Sequence, residues 1–167
     1  MRRSAAPAAG AALALGTAVL SFLYARFTVD DAFITWRYGQ TLVRHGTWNW
    51  NPTGEPVEAY TSTLYALLSV VPAALGMSAE LFFKVLSAGI LFVLTWWIWA
   101  RTLRPAWQRF LMIAALVLNP TFHIHLWSGL ETPLFVLLVV VVFGEITVRS
   151  RMTVPAVVAA GLLALTR

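Results

Sequence analysis

The stretch "LFFKVLSAGILFVLTWWIWA", residues 81–100, decides the fold class of this chain. Lys84 is its only charged residue, and about 20 mostly apolar residues are what an α-helix needs to cross the ~30 Å hydrocarbon core of a bilayer. The stretch ends in "TWWIWA", and indole rings prefer the membrane–water interface. It therefore predicts a transmembrane helix with an aromatic end at one interface.

The composition of the whole chain agrees with a membrane protein. Of its 167 residues, 59% are hydrophobic and 11% charged, whereas soluble domains have about 45–50% and about 25%. The chain has no cysteine, which excludes disulfides, thiolate metal sites and a cysteine nucleophile. The net charge of +5 comes from arginines at the ends of apolar runs. We interpret these as topology signals, and we predict no nucleic-acid partner.

Five apolar runs have the character of membrane-spanning helices. They cover about 9–27, 81–100, 108–127, 132–148 and 152–166. The first follows Arg2 and Arg3 but ends in aromatic residues and an arginine, so we predict an uncleaved helix and not a signal peptide. The sequence stops directly behind the fifth run. We therefore expect residues 1–167 to be the N-terminal part of one polytopic, all-α transmembrane domain.

A sixth apolar run, "TSTLYALLSVVPAALG" at 61–76, is about 16 residues long and contains Pro72. If it spans the membrane, the five later arginines lie on the side opposite Arg2 and Arg3. If it lies in the interface, all seven share the cytoplasmic side, as the positive-inside rule requires. We predict the interfacial arrangement. The five arginines are Arg101, Arg104, Arg109, Arg149 and Arg151.

This topology makes residues 28–80 a long extracytoplasmic loop, and loops of that length are usually functional. Its first part, 31–45, has the pattern of an amphipathic interfacial helix, capped by Asp30 or Asp31 and ended by Gly46. Six of the seven acids then lie on the extracytoplasmic side of the membrane. The exception is Glu145, four residues before Arg149. The six are Asp30, Asp31, Glu55, Glu58, Glu80 and Glu131.

The adjacent acids Asp30 and Asp31 allow two interpretations. In the structural one, the first caps the helix and the second is solvated. In the functional one, a pair of carboxylates at the membrane edge, facing the compartment of Glu58 and Glu131, provides a general acid or base.

Ordered motifs surround this pair. An apolar helix precedes "DDAFITWRYGQTLVRHGTWNWNP" (30–52), and "VEAYTSTLY" (57–65), an arginine-terminated helix and "NPTFHIHLWSGLETPLF" (119–135) follow it. The set resembles the start of a GT-C fold membrane glycosyltransferase. It is most similar to the terminal β-arabinofuranosyltransferase family of actinobacterial cell-wall assembly. The resemblance implies an enzyme of the bacterial cytoplasmic membrane. Such an enzyme transfers a sugar, arabinofuranose as first choice, from a polyprenyl-phosphate donor to an extracytoplasmic cell-envelope glycan.

The resemblance also implies roles for individual residues. Asp30 is the first choice for the base of an inverting displacement, with Asp31 as its partner or substitute. Glu58 matches a second acidic position, which a lysine follows in lipid-A aminoarabinose transferases. Ala59 stands there in this chain, so the contact to the donor phosphate must come from other cations. The candidates are Arg37, Arg44, Lys84 and Arg167.

His123, His125 and Glu131 are candidates for the polar lining of the same cavity. Two histidines two apart on a helix point to different sides, which disfavours joint binding of a metal. The donor that the resemblance implies carries a single phosphate and does not require a divalent metal, so we predict no metal and no cofactor. Structural alternatives stay open for each residue. The histidines can simply be interfacial, Glu131 can belong to a helix start with Thr132 and Pro133, and Lys84 can extend to the headgroups.

Two other function classes compete with a glycosyltransferase. The first is a transporter or flippase-like carrier that uses the acidic pair for ion coupling. The second is a non-catalytic membrane scaffold. Transporters place their charges mid-span at broken helices. In this chain the charges cluster in the predicted outer loop, which favours the enzyme.

Overall fold

The computed structural model describes residues 5–101 and 104–166, with side chains from residue 12 onward; Arg2, Arg3 and Arg167 lie outside this part. The described residues form helices and no strands, which confirms the predicted all-α class in this part of the chain. The helices are α1 (Ala5–Tyr24), α2 (Asp30–His45), α3 (Thr63–Leu68), α4 (Val70–Ala74), α5 (Ala79–Arg101), α6 (Ala106–Val117), α7 (Pro120–Trp127), α8 (Thr132–Arg149) and α9 (Val154–Ala164).

Two of these helices, α5 and α8, are long and apolar enough to cross a membrane. They correspond to the predicted runs at 81–100 and 132–148. The run at 108–127 is instead broken into α6 and α7, which meet at 62° and count as a third candidate only if the bent pair forms one span. The remaining two predicted runs, at 9–27 and 152–166, correspond to the shorter apolar helices Ala12–Tyr24 and α9, each of 10–17 residues. The chain thus has the character of a membrane-associated helical protein.

The break between α6 and α7 follows from Asn119 and Pro120. Proline has no backbone N–H to continue the α6 ladder. The Asn119 side chain accepts a hydrogen bond from the Thr121 N–H at 2.9 Å and so caps α7.

The run at 61–76 forms two short helices, α3 and α4, joined at Ser69 and packed on α2. Each is far shorter than the ~20 residues of a span. A close contact fixes them to α2: the Gly39 N–H donates to the Ser69 hydroxyl at 3.1 Å. A Cβ on Gly39 would lie 2.4 Å from the Ser69 backbone carbonyl carbon, so only glycine allows this approach.

Helices α5 and α8 run parallel, because residues near the start of each pack in one core and residues near the end of each meet again at Arg101 and Glu145. The bundle therefore has two distinct ends. We call the end that holds α2 and the starts of α5 and α8 the acidic end. The opposite end, with Arg101, Arg104, Arg109, Arg149 and Arg151, is the arginine end.

The arginine end is held together by Glu145. This buried carboxylate contacts Arg149 Nε at 3.1 Å and Arg101 NH1 at 3.8 Å, and it accepts a hydrogen bond from Thr153 Oγ1 at 2.8 Å. Glu145 thus joins α5, α8 and the start of α9, beyond the predicted pairing with Arg149.

One sequence prediction about α2 is wrong. Its N-cap is Val29, with no side-chain cap bond, so neither Asp30 nor Asp31 caps the helix, and both lie in its first turn. The Ala32 N–H donates to the Val29 carbonyl, and the Val29 N–H itself donates to the distant Ser128 carbonyl. The predicted end of the helix at Gly46 is confirmed, because Gly46 adopts φ 70°, which suits glycine.

Candidate functional site

The motifs singled out in the sequence meet at the acidic end of the bundle. The Val29 N–H donates to the Ser128 carbonyl at 3.1 Å and fastens the start of α2 to the loop before α8. Gly129 completes this contact with φ 86°, where a Cβ would lie 2.7 Å from the Trp36 ring. The Leu64 N–H donates to the Leu165 carbonyl at 2.8 Å. Sequence segments about a hundred residues apart therefore meet at this end.

A buried aromatic stack supports that surface. The rings of Trp36 and Phe83 lie parallel with centroids 5.5 Å apart, and Tyr65 packs on Phe83 at 4.8 Å. Such offset aromatic pairs stabilise a core beyond the area they bury. Burial raises the pKa of the Tyr65 phenol well above its usual range, and the negative charge of Glu131 raises it further. Tyr65 therefore stays protonated beneath the site.

The acids at this end lie at the starts of helices. Asp30 and Asp31 occupy the first turn of α2, Glu80 that of α5, and Glu131 the N-cap position of α8. Asp30 and Asp31 are exposed and make no hydrogen bond or ion pair with any residue that the structure describes. Glu131 is only 9% exposed. The expected role of Glu131 in a helix start is confirmed.

Lys84 is already paired. Its ammonium lies 2.6 Å from a Glu80 carboxylate oxygen, which also accepts a hydrogen bond from Thr28 at 2.8 Å. The Lys84 side chain is 16% exposed. This pair links α5 to the turn before α2, so Lys84 is less available to a phosphate than an unpaired cation.

Glu58 lies on an exposed loop whose backbone is held firmly. The Tyr38 hydroxyl, buried in α2, accepts from the Ala59 N–H at 2.8 Å and donates to the Val57 carbonyl. The Asn49 side chain accepts from the N–H groups of Trp50 and Val57 at 2.8 and 3.0 Å. Glu58 itself is exposed between these two anchors.

The cationic candidates Arg37 and Arg44 line one cleft of about 440 Å³ beside α2. Its other walls include Phe33, Trp36, Trp50 and Gln40. The Arg37 guanidinium forms a wall of the cleft: its Nε donates to the Trp50 carbonyl at 2.9 Å, and it stacks 4.6 Å from that indole. Arg44 is exposed and has no hydrogen-bond or ion-pair partner in the described chain. Arg44 is thus the freer of the two.

One exposed stripe of α2 connects the acid to this cleft. Residues three and four apart share a helix face. Asp30, Phe33, Arg37, Gln40 and Arg44 follow this spacing, and all five are exposed. Asp31 instead precedes the buried Thr35 and Tyr38 on the neighbouring face.

The two histidines have different environments, as their spacing predicts. His123 is fully buried, with Nε2 2.7 Å from the Val117 carbonyl and Nδ1 3.4 Å from the Ser21 hydroxyl. His125 is exposed on the other side of α7. The structure therefore places His123 inside the bundle and away from the cleft, and no three His, Cys, Asp or Glu residues of the described chain group closely enough to hold a metal. Arg167 lies outside the described residues.

Several residues that position the site were not singled out from the sequence. Thr28, Tyr38, Asn49 and Ser69 each bond across more than one turn of chain. Asn49, in "NWNP", carries a local signal, since asparagine before proline-rich turns often bonds its own backbone. Tyr38 and Ser69 carry none, because their partners are 19 to 30 residues away.

Comparisons of the chain with known protein families, with curated proteins and with solved structures gave no match. The functional assignment consequently depends on the geometry of the acidic end and on the motif resemblance.

Proposed function

We propose that the protein is a membrane glycosyltransferase that moves a sugar, arabinofuranose as first choice, from a polyprenyl-phosphate donor to a cell-envelope glycan. In this proposal the acidic end faces the extracytoplasmic side of a bacterial cytoplasmic membrane. The arginine end faces the cytoplasm, as the positive-inside rule favours.

The observation that carries the proposal is the exposed stripe of α2. It presents an unpaired carboxylate, Asp30, and an unpaired cation, Arg44, on one helix face, and the cation lines the aromatic cleft. Transfer from a lipid phosphate needs such a pair: a base for the acceptor hydroxyl and a cation for the leaving oxygen.

The spacing along the stripe suits the reaction. At 1.5 Å per residue, Asp30 and Arg37 are about 10 Å apart along the axis of α2. A base–hydroxyl hydrogen bond and an attack distance each need about 3 Å. The interval to Arg37 therefore accommodates the acceptor hydroxyl and the sugar. Arg44 lies about 21 Å from Asp30 on the same count, so the donor phosphate lies between the two arginines, and the long Arg44 side chain extends back toward it.

The chemistry is an inverting displacement. Asp30 takes the proton of the acceptor hydroxyl as the acceptor oxygen bonds to the anomeric carbon. The bond from that carbon to the phosphate oxygen breaks on the opposite face, and the polyprenyl phosphate leaves. Arg44 donates hydrogen bonds to the departing phosphate as its charge increases. Asp31 is the substitute base, while Glu58 and Glu131 flank the acceptor.

The test is sugar transfer by the purified protein in bilayer nanodiscs, with radiolabelled polyprenyl-phosphate arabinofuranose and an arabinan oligosaccharide. We expect Asp30→Asn to lower the rate by at least about a hundredfold, the scale of general base catalysis. Asp31→Asn should have a smaller effect. The matched control is Glu55→Gln, which removes another exposed charge outside the α2 stripe.

Transfer at the wild-type rate in Asp30→Asn and in Asp31→Asn would exclude the catalytic assignment. If the protein transfers no sugar but both variants abolish proton- or sodium-coupled uptake in proteoliposomes, the carrier alternative replaces the enzyme.

A further inference from the structure

A second concave site lies toward the arginine end, between α5, α6 and α8. It is a groove of about 320 Å³, and its walls include Trp97, Met112, Val140, Phe143 and Gly144. Arg104 lies at the polar end of the groove and is exposed. None of these residues takes part in the candidate site at the acidic end.

Gly144 gives the groove one wall without a side chain. Position 144 has no side chain, and the nearest heavy atom to a Cβ built there would be Trp97 Nε1 at 3.4 Å. The neighbouring walls are apolar, and Met112 and Phe143 are about half exposed or more. An open, mostly apolar groove of this kind suits a hydrocarbon chain more than a polar solute.

The charge at the end of the groove is uncompensated. The Arg104 side chain makes no hydrogen bond or ion pair within residues 5–101 and 104–166, whereas Arg101 and Arg149 share Glu145. The backbone beneath Arg104 is fixed, since Arg109 donates to the carbonyls of Arg104 and Trp99 at 2.6 and 2.8 Å. An unpaired cation on a held backbone, next to an apolar groove at a membrane interface, is complementary to an acidic lipid headgroup.

We propose that this groove binds one anionic phospholipid, with an acyl chain against Gly144 and Phe143 and its phosphate beside Arg104. The site is independent of sugar transfer, and it acts as a fixed lipid contact that fills the space between α5, α6 and α8.

The test measures lipid retention by the full chain. The protein is reconstituted into bilayers of equal parts phosphatidylcholine and phosphatidylglycerol and extracted into mild detergent. Bound lipid per protein is then counted by mass spectrometry. The wild type should retain about one phosphatidylglycerol per chain. Arg104→Gln should reduce the preference for phosphatidylglycerol about fivefold, the effect of one basic residue at an anionic surface. Gly144→Leu should remove the bound lipid.

Two matched controls isolate the site. Arg151→Gln removes another exposed arginine at the same end, outside the groove, and Gly161→Leu adds the same side chain where nothing lies within 4 Å. Both should retain lipid as the wild type does. If Gly144→Leu does not assemble, Met112→Trp fills the groove from α6. Unchanged retention in the groove-filling variant, or an equal loss in Arg151→Gln and Arg104→Gln, would overturn the proposal.

Discussion

The Nε2 atom of His123 lies 2.7 Å from the carbonyl oxygen of Val117, at the break between α6 and α7. In a continuous helix that carbonyl would accept from the Thr121 N–H, which instead donates to the Asn119 side chain. Because a carbonyl can only accept, Nε2 carries the hydrogen, and Nδ1 pairs with the Ser21 hydroxyl of α1 at 3.4 Å. The buried His123 side chain thus gives the Val117 carbonyl a hydrogen-bond partner at the helix break and joins α7 to α1.

His123→Leu should therefore destabilise the protein. The change leaves the Val117 carbonyl and the Ser21 hydroxyl without their partner, at a cost of about 1–3 kcal/mol in the free energy of unfolding. His125→Leu, at an exposed position of the same helix, should change it by less than about 0.5 kcal/mol. Unfolding in detergent, followed by circular dichroism, compares the two, and equal effects would contradict this role of His123.

Gly39→Ala should loosen the contact between α2 and the α3–α4 pair. The new Cβ would meet the Ser69 backbone, which cannot move without displacing both short helices, so we expect a loss of about 1–3 kcal/mol. Gly161→Ala, in open space on α9, should instead stabilise by about 0.5–1 kcal/mol. The sign difference between these two matched substitutions, read from unfolding midpoints, is the decisive observation.

Glu145→Gln should weaken the arginine end by about 1–3 kcal/mol, because the amide keeps the shape of the carboxylate but loses its charge-assisted bonds. The same change in an Arg149→Gln background should cost less, since one partner is already absent. A double-mutant cycle of unfolding free energies measures the difference. Strictly additive costs would show that the pair is not coupled.

Tyr65 should make the stability depend on pH in the alkaline range. Its folded pKa is raised, so the folded chain keeps the proton at pH values where the unfolded phenol, with a pKa of about 10, loses it. The contribution of Tyr65 to the free energy of unfolding is therefore fully present below pH 10 and decreases as the pH rises above it. The unfolding free energy of Tyr65→Phe, compared with the wild type between pH 9 and about 11, should decrease less steeply.

Arg44→Gln tests the phosphate contact of the proposed enzyme. Loss of one charged hydrogen-bond donor should raise KM for the polyprenyl-phosphate donor roughly tenfold to hundredfold. The control is Arg26→Gln, an exposed arginine that does not line the cleft. An equal increase in both variants would point to general attraction of the anionic donor and not to a site at Arg44.

Local patterns predicted much of this structure. The apolar runs gave α5 and α8 because a helix in lipid satisfies its own backbone, so length and hydropathy suffice. The end of α2 at Gly46 followed from a glycine after an amphipathic pattern. The start of α2 could not be predicted from a local pattern. The Val29 N–H there donates to the Ser128 carbonyl, 99 residues away.

The candidate site shows the same division. The acidic pair and the arginines of α2 were visible in the sequence, and helical spacing alone places Asp30, Arg37 and Arg44 on one face. The pairing of Lys84 with Glu80 is a spacing of four residues and could have been predicted. The burial of His123 could not have been predicted, because it depends on the packing of α1 against a helix break about a hundred residues further along the chain.

The helix starts that gather at the acidic end have an electrostatic consequence. Helices α2, α5 and α8 each direct the positive pole of a macrodipole toward this end, and their carboxylates offset that field. Removing one carboxylate unmasks the field. Asp30→Asn should consequently bind an anionic donor more tightly while it turns the donor over more slowly, so that affinity and rate change in opposite directions.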